Sequence, residues 1–177
     1  MQIHQLQMSY SPEEDRIILR VGSTTDEEIC LFLTRRLVND FWTILVPAMK
    51  QSEPMLNDMQ KTSEIPEVKK IKQEIQHQQI IEKSDYITPF NKGKESPVGQ
   101  TPMLTTKISI NTNDSNMTLF VFSSADGKNI NLNLNQELVH NLYELIAKVL
   151  PSTNWGLVLE GATNTAFIEN KTKSVLH

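Results

Sequence analysis

The stretch IILRVGSTTDEEICLFLTRRLVNDFWTILVPAM, Ile17–Met49, decides the fold, because a second version of it, TLFVFSSADGKNINLNLNQELVHNLYELIAKVL, Thr118–Leu150, follows without a gap. Superposed, Ile29, Leu31, Leu33, Leu37 and Val38 fall on Ile130, Leu132, Leu134, Leu138 and Val139, the same residue each time. Conservative pairs extend the match: Ile18 with Leu119, Val21 with Phe122, Phe41 with Leu142, Trp42 with Tyr143. In both versions the apolar period changes from two to about 3.6 residues at the same point, which marks a strand passing into a helix. Chance periodicity supplies a pattern but not shared identities, so the stretch is read as an internal duplication.

Working outward, Ile3–Tyr10 alternates Leu6, Met8 and Tyr10 with polar residues and runs into the turn-forming Ser11-Pro12-Glu13-Glu14-Asp15, which adds a strand before each pair. The spacing predicts strands over Arg16–Gly22 and Glu27–Thr34, then a helix capped by Thr34 that kinks or frays at Pro47. The second unit repeats this with Leu104–Ile110, Met117–Ser123 and Asn129–Leu134, a hairpin at Asp126-Gly127, and a helix capped by Asn135 and stopped by Pro151. The expected fold class is α+β: a tandem β-β-β-α repeat with a pseudo-twofold, its antiparallel sheet carrying the helices on one face. The expected layout is a first unit over 1–50, a linker over 51–101, a second unit over 102–161 and a polar tail over 162–177. A last short strand is expected over Gly156–Glu160. The linker turns to Lys, Glu, Gln, Ser and Pro, holds one marginal helix pattern over Pro66–Lys83, and is expected to be dispensable for folding. Its end, Asp85–Gly99, is irregular and able to lie across the folded body.

The chain has 177 residues, 38% hydrophobic and 21% charged, enough for one core shared by two small halves. A net charge of −4 argues against bulk duplex DNA as the main partner, since that binding needs a concentrated basic surface. Met1–Tyr10 shows no basic segment followed by an apolar run, and no stretch has the length of apolar residues that spans a bilayer. The expectation is therefore a cytoplasmic protein without a membrane partner. A single cysteine, Cys30, allows no internal disulfide and no cysteine-cluster metal site.

The chemistry of catalysis is missing from the pattern. Six glycines leave no Gly-rich phosphate loop, and four scattered histidines suggest no metal cluster. Cys30 sits mid-strand among apolar residues, and His140, near the second helix start, reads as a rim residue. The expectation is no enzyme and no cofactor.

Two features do point to binding. On the third strand of the first unit Cys30 and Phe32 stand where the second unit has Asn131 and Asn133, so that face is apolar on its outer side and is a candidate protein interface. Thr34-Arg35-Arg36 puts two guanidinium groups in a helix first turn, where the dipole disfavours cations; with Arg20, and Arg16 nearby, they are candidate contacts for a carboxylate, a phosphate or a nucleic acid. Solvation, or pairing with Asp40, Glu27 or Glu28, is the competing account of the same residues.

The stretches Leu33-Thr34-Arg35-Arg36-Leu37 with Phe41-Trp42, and Leu132-Asn133-Leu134 with Leu138-Val139-His140, resemble those of a family of uncharacterised bacterial proteins with no assigned function. The resemblance covers both repeats, excludes the linker, and implies a bacterial cytosolic protein with no known activity or cofactor. A looser similarity of topology connects each unit to single-strand-binding folds of the PUR type, though without their interleaved basic and aromatic platform. Two functions stay open: a non-catalytic interaction or assembly module, bound to a protein partner or to itself as a homodimer, and a single-stranded nucleic-acid or anion-binding protein that uses the arginines.

Overall fold

The computed structural model describes residues 2–51, 66–85, 88–99, 101–112 and 117–157. Within the expected linker, residues 52–65, 86–87 and 100 lie outside the described residues, as do the whole expected tail and residues 158–160 of the expected last strand. Residues 156–157 form no strand.

Each half begins as three strands joined by hairpins. In the first, β1 (Ile3–Ser11), β2 (Arg16–Ser23) and β3 (Glu28–Leu33) pair antiparallel, with Leu6 opposite Val21, Met8 opposite Leu19 and Leu19 opposite Leu31. Alternation sends Ile17, Leu19, Val21, Ile29, Leu31 and Leu33 inward, where all are buried. In the second, β4 (Met103–Thr112), β5 (Met117–Ser124) and β6 (Asn129–Asn135) repeat the arrangement, and Phe120, Phe122, Leu132 and Leu134 face in. The two β-hairpins between the second and third strands close alike. Ser23 N–H donates to the Glu27 carbonyl, and Ser124 N–H donates to the Lys128 carbonyl, both at 3.0 Å. Each turn needs one residue at positive φ: Gly127 supplies it at 86°, and Asp26, a residue type that tolerates this region, supplies it at 64°.

The six strands form one sheet in the order β1-β2-β3-β4-β5-β6. The expectation of an antiparallel sheet holds within each half but not at the joint, where β3 and β4 run parallel through Leu31–Met103 and Phe32–Leu104. The reason is the connection. A hairpin reverses the chain, whereas the route from β3 to β4 passes through helices and returns the chain to the same end of the sheet. The outer strands β1 and β6 come within 8 Å (Cα–Cα) of each other, so the sheet curls round its inner face.

Two helices fill that inner face, and they are crossed. α1 (Arg35–Gln51) packs over β4 of the other half, and α3 (Gln136–Thr153) packs over β1. Phe41 of α1 meets Phe120 and Phe122 edge-on, with ring centroids 6.1 and 6.0 Å apart. One buried cluster consequently holds the inward residues of both halves together with Val38, Leu45, Val139, Leu142 and Ile146. Thr34 Oγ1 accepts from Leu37 N–H at 3.4 Å, and Asn135 Oδ1 accepts from Leu138 N–H at 2.9 Å, so both expected caps are present. Neither proline ends its helix. α1 continues past Pro47 to bury Ala48, and α3 continues past Pro151 to bury Thr153 before Asn154 terminates it at φ 55°. Both prolines are exposed, and the carbonyl that Pro47 leaves unpaired belongs to the exposed Thr43; core packing beyond each proline outweighs the lost bond.

The described part of the linker docks on the body. α2 (Pro66–Lys83) packs on α3, and 88–99 crosses the Gly22–Glu28 end of the first half. Gln5 holds this strap at both side-chain ends, donating to the Pro89 carbonyl at 3.2 Å and accepting from Asn91 N–H at 3.1 Å. Glu28 N–H donates to the Glu95 carbonyl and Lys94 N–H to the Asp26 carbonyl, each at 2.8 Å. Gly93 is where the two backbones come closest: a Cβ there would stand 2.7 Å from the Asp26 oxygen, the Glu27 carbon and the Glu28 nitrogen. Backbone cannot yield as a side chain can. Gly93→Ala is expected to lower Tm by roughly 3–8 °C and to speed proteolysis within 88–99. An unchanged Tm with unchanged cleavage would show that the strap adds nothing to stability.

Candidate binding surface at the joint of the two halves

Because the helices take the inner face, the side chains between the inward positions of each strand point outward. Pairing register then builds one row across four strands: Ser9 opposite Ile18, Ile18 opposite Phe32, and Phe32 opposite Leu104. Its centre is apolar. Ile18 and Phe32 are half-buried among their neighbours, and Leu104 is 40% exposed between the buried Met103 and Thr105. The next row places Gln7, Arg20 and Cys30 side by side. Cys30 is half-buried, and burial pushes its thiol up from the ordinary range, the opposite of what a nucleophile needs. In the second half the same face is polar at its edge, where Asn129, Asn131 and Asn133 are exposed beside half-buried Leu119 and Val121.

The candidate arginines fall into two settings. Arg16 and Arg20 flank the apolar row. Arg16 pairs with Glu14 at 3.3 Å and lies 5.2 Å over the Phe32 ring, and Arg20 pairs with Glu28 at 3.1 Å. Arg35 and Arg36 are exposed at the start of α1, and neither has an ion-pair partner among the described residues. Near Arg35 the turn carboxylate of Asp15 accepts from Trp155 Nε1–H at 2.6 Å and from the Tyr10 hydroxyl at 2.7 Å. These two bonds, with the Arg35 charge as a smaller contribution, hold the Asp15 carboxyl below its usual range.

A feature that no sequence pattern marked lies between α2 and α3. His140, expected at the rim, is 1% exposed because α2 covers it. Its ring stacks on His77 with centroids 5.1 Å apart, and the two Nδ1 atoms are 2.8 Å from each other, so one of them carries the proton. His77 Nε2 faces Glu144 at 3.6 Å, Lys148 stands 3.4 Å from the same carboxylate, and Ser84 Oγ donates to Asn141 Oδ1 at 2.8 Å. His140 Nε2 is buried without a hydrogen-bond partner among the described residues. Burial first, and the neighbouring His77 second, lower the His140 pKa to about 4. Contact with His77 is the main cause that holds the Glu144 carboxyl below its usual value. Only the spacing of His140 and Glu144, one helical turn apart, was visible beforehand; His77 arrives from a segment whose docking nothing local foretold.

Among the described residues no group of three or more His, Cys, Asp or Glu could hold a metal ion, and no helix is long and apolar enough to cross a membrane. Comparison with protein-family models, with curated proteins and with solved structures finds no match.

The histidine cluster makes stability depend on pH with a definite sign. The folded pKa of His140 lies below its unfolded value of 6.5, so between 6.5 and about 4 the unfolded chain binds a proton that the folded chain refuses. Stability is then fully present above 6.5 and is lost as pH falls, by roughly 3 kcal/mol near pH 4. The Glu144 contribution is lost only below its unfolded value of 4.5, so it adds no slope between 6.5 and 4.5, where the His140 contribution falls. Urea midpoints measured across that window are expected to slope in the wild type and to be flat in His140→Leu; an equal slope in both would remove His140 as the cause.

Proposed function

We propose that this chain is a non-catalytic binding module that associates with a second copy of itself through the outer face of β2, β3 and β4. The observation that carries the reading is the cross-strand row Ile18–Phe32–Leu104, an apolar centre which no described helix covers. Its rim supports self-association in particular. Arg16 with Glu14 and Arg20 with Glu28 present both signs of charge beside the row, so a twofold-related copy can exchange these pairs without leaving a charge unmatched. A cytoplasmic setting goes with this reading, since the lone Cys30 on the interface is then kept reduced.

The same reading takes the fold as a duplicated β-β-β-α unit about a pseudo-twofold. Arg16 and Met117, Glu28 and Asn129, and Arg35 and Gln136 open corresponding elements at one constant spacing. The crossed packing is reciprocal, and Trp42 stacks at 4.5 Å on Tyr143, its own counterpart, as residues on a twofold axis do. A nucleic-acid role has less support: Arg16 and Arg20 are committed to carboxylates, and the outer row offers Phe32 as its one aromatic among the described residues.

Sedimentation across a concentration series is the test. The wild type is expected to dimerise, Leu104→Asp to weaken the dimer by at least about tenfold with Tm changed by less than about 2 °C, and alkylation of Cys30 to slow as dimer forms. A monomer at every concentration, with Cys30 alkylation independent of concentration, would overturn the proposal. Salt-sensitive binding of a single-stranded oligonucleotide that Arg35→Ala with Arg36→Ala abolishes would then put the nucleic-acid reading in its place.

A further inference from the structure

Polar contacts carry much of the grip of α2 on the body. Three of its large apolar side chains, Val68, Ile71 and Ile75, are exposed along one side of the helix and add nothing to docking. Its half-buried residues are Gln73, Gln76, His77, Ile80 and Ile81, so the covered side is more polar than the open one. Two contacts fix the helix on α3: the stacked pair of His77 and His140, and the bond from Ser84 Oγ to Asn141 Oδ1. A single helix of this length and composition is marginal in water, so its order depends on what holds it there.

The pair accepts one arrangement of protons. His77 Nε2 faces the Glu144 carboxylate at 3.6 Å, which keeps the His77 proton on Nε2 and leaves its Nδ1 an acceptor. His140 Nδ1, 2.8 Å away, then donates to it, and His140 Nε2 is left as a bare lone pair, buried and without a hydrogen-bond partner among the described residues. A further proton has no good place. On His77 Nδ1 it would point at the proton of His140 Nδ1 across 2.8 Å, and on His140 Nε2 it would make a buried cation with no acceptor. The titratable and charged groups round the pair are Tyr143, whose ring meets His77 edge-on, and Glu144, which Lys148 also engages at 3.4 Å. Among the described residues α1, β1, β5 and β6, which pack on α3 as well, bring no charge to bear on His140.

We propose that the His77–His140 pair is an acid-sensitive latch, and that a proton taken up there releases α2 from α3 while the two halves stay folded. Release relieves the conflict, because His140 on an uncovered α3 meets water and protonates at its ordinary 6.5, against about 4 when α2 covers it. The docked form has the lower pKa, so docking is fully present above 6.5 and is lost as pH falls. Each pH unit between the two values multiplies the released population by up to about tenfold. The rest of the fold does not share this dependence, since the buried cluster of the two halves contains no residue of α2. The loss of stability in acid thus begins as the loss of one helix.

The latch is independent of the proposed dimer face, to which α2 and α3 contribute no residue. Hydrogen exchange of the full chain near neutral pH and near pH ~5, corrected for the intrinsic pH dependence of exchange, tests it. Glu144, held below its usual value, is still charged at the lower pH, so the comparison reads the histidines. Protection of the α2 amides is expected to fall by about twentyfold between the two conditions, while the amides of β2 and β5 keep theirs. In His140→Leu the fall should be less than about twofold. The His140 imidazole resonance of the wild type should move over the same pH interval in which α2 loses protection, which keeps the test open if His140→Leu folds poorly. Equal α2 protection at both pH values, loss of protection in α2 and the sheet together, or an equal fall in His140→Leu would each overturn the proposal.

Discussion

Phe41 leaves its own strands and lies edge-on against Phe120 and Phe122 of the other half, and the architecture depends on that exchange. A three-stranded sheet with one helix has an apolar inner face too small to be sealed by itself. Here α1 covers β4 of the other half, and α3 reaches over β1 while it also packs on β5 and β6 of its own half. The buried residues of both halves form one cluster. The curl that brings β1 near β6 follows from the same constraint, because two helices side by side fill a concave surface and not a flat one.

What the sequence disclosed and what it withheld divide along the range of the interactions. Strand faces, both N-caps and the Asp126-Gly127 turn depend on neighbours a few residues away, and each was legible from alternation, from Thr34 and Asn135, or from the glycine. Asp26 shows the limit of a residue-type rule: it takes the left-handed position that glycine takes in the other hairpin, stabilised by the strap, whose Lys94 bonds its carboxylate at 2.8 Å. The parallel joint was not legible, since nothing in Leu31–Phe32 or Met103–Leu104 records which strand will lie alongside. Nor did Pro151 stop its helix as local rules foretell, because the core rewards burial of Thr153 beyond it.

The binding surfaces follow the same division. Cys30 and Phe32 stood out as apolar residues on an outward face, and register adds what they lacked, Ile18 on one side and Leu104 on the other. The four arginines could be named but not sorted. Charge attracts charge over distances that sequence does not encode, and only the folded chain shows that Glu14 and Glu28 take Arg16 and Arg20 while Arg35 and Arg36 have no ion-pair partner among the described residues. Thr105 carried no signal at all. A threonine on a strand is unremarkable until its hydroxyl is found buried and without a hydrogen-bond partner among the described residues.

One connecting segment cannot serve both halves equally, and the two helices differ accordingly. α2 docks on α3 and meets His140, Asn141, Tyr143 and Glu144; the corresponding stretch of α1 carries Asn39, Asp40 and Thr43, all exposed. A buried imidazole is tolerable only where a cover supplies a partner for it, and His77 supplies that partner on α3 alone. The strap in turn covers the Gly22–Glu28 end of the first half, where Phe90 lies against Gly22. Among the described residues the linker therefore shields the second helix and one end of the first sheet. Among the described residues nothing covers the start of α1 or the middle of the outer row, and Arg36, without an ion-pair partner among them, and the exposed Leu104 stand at those two places.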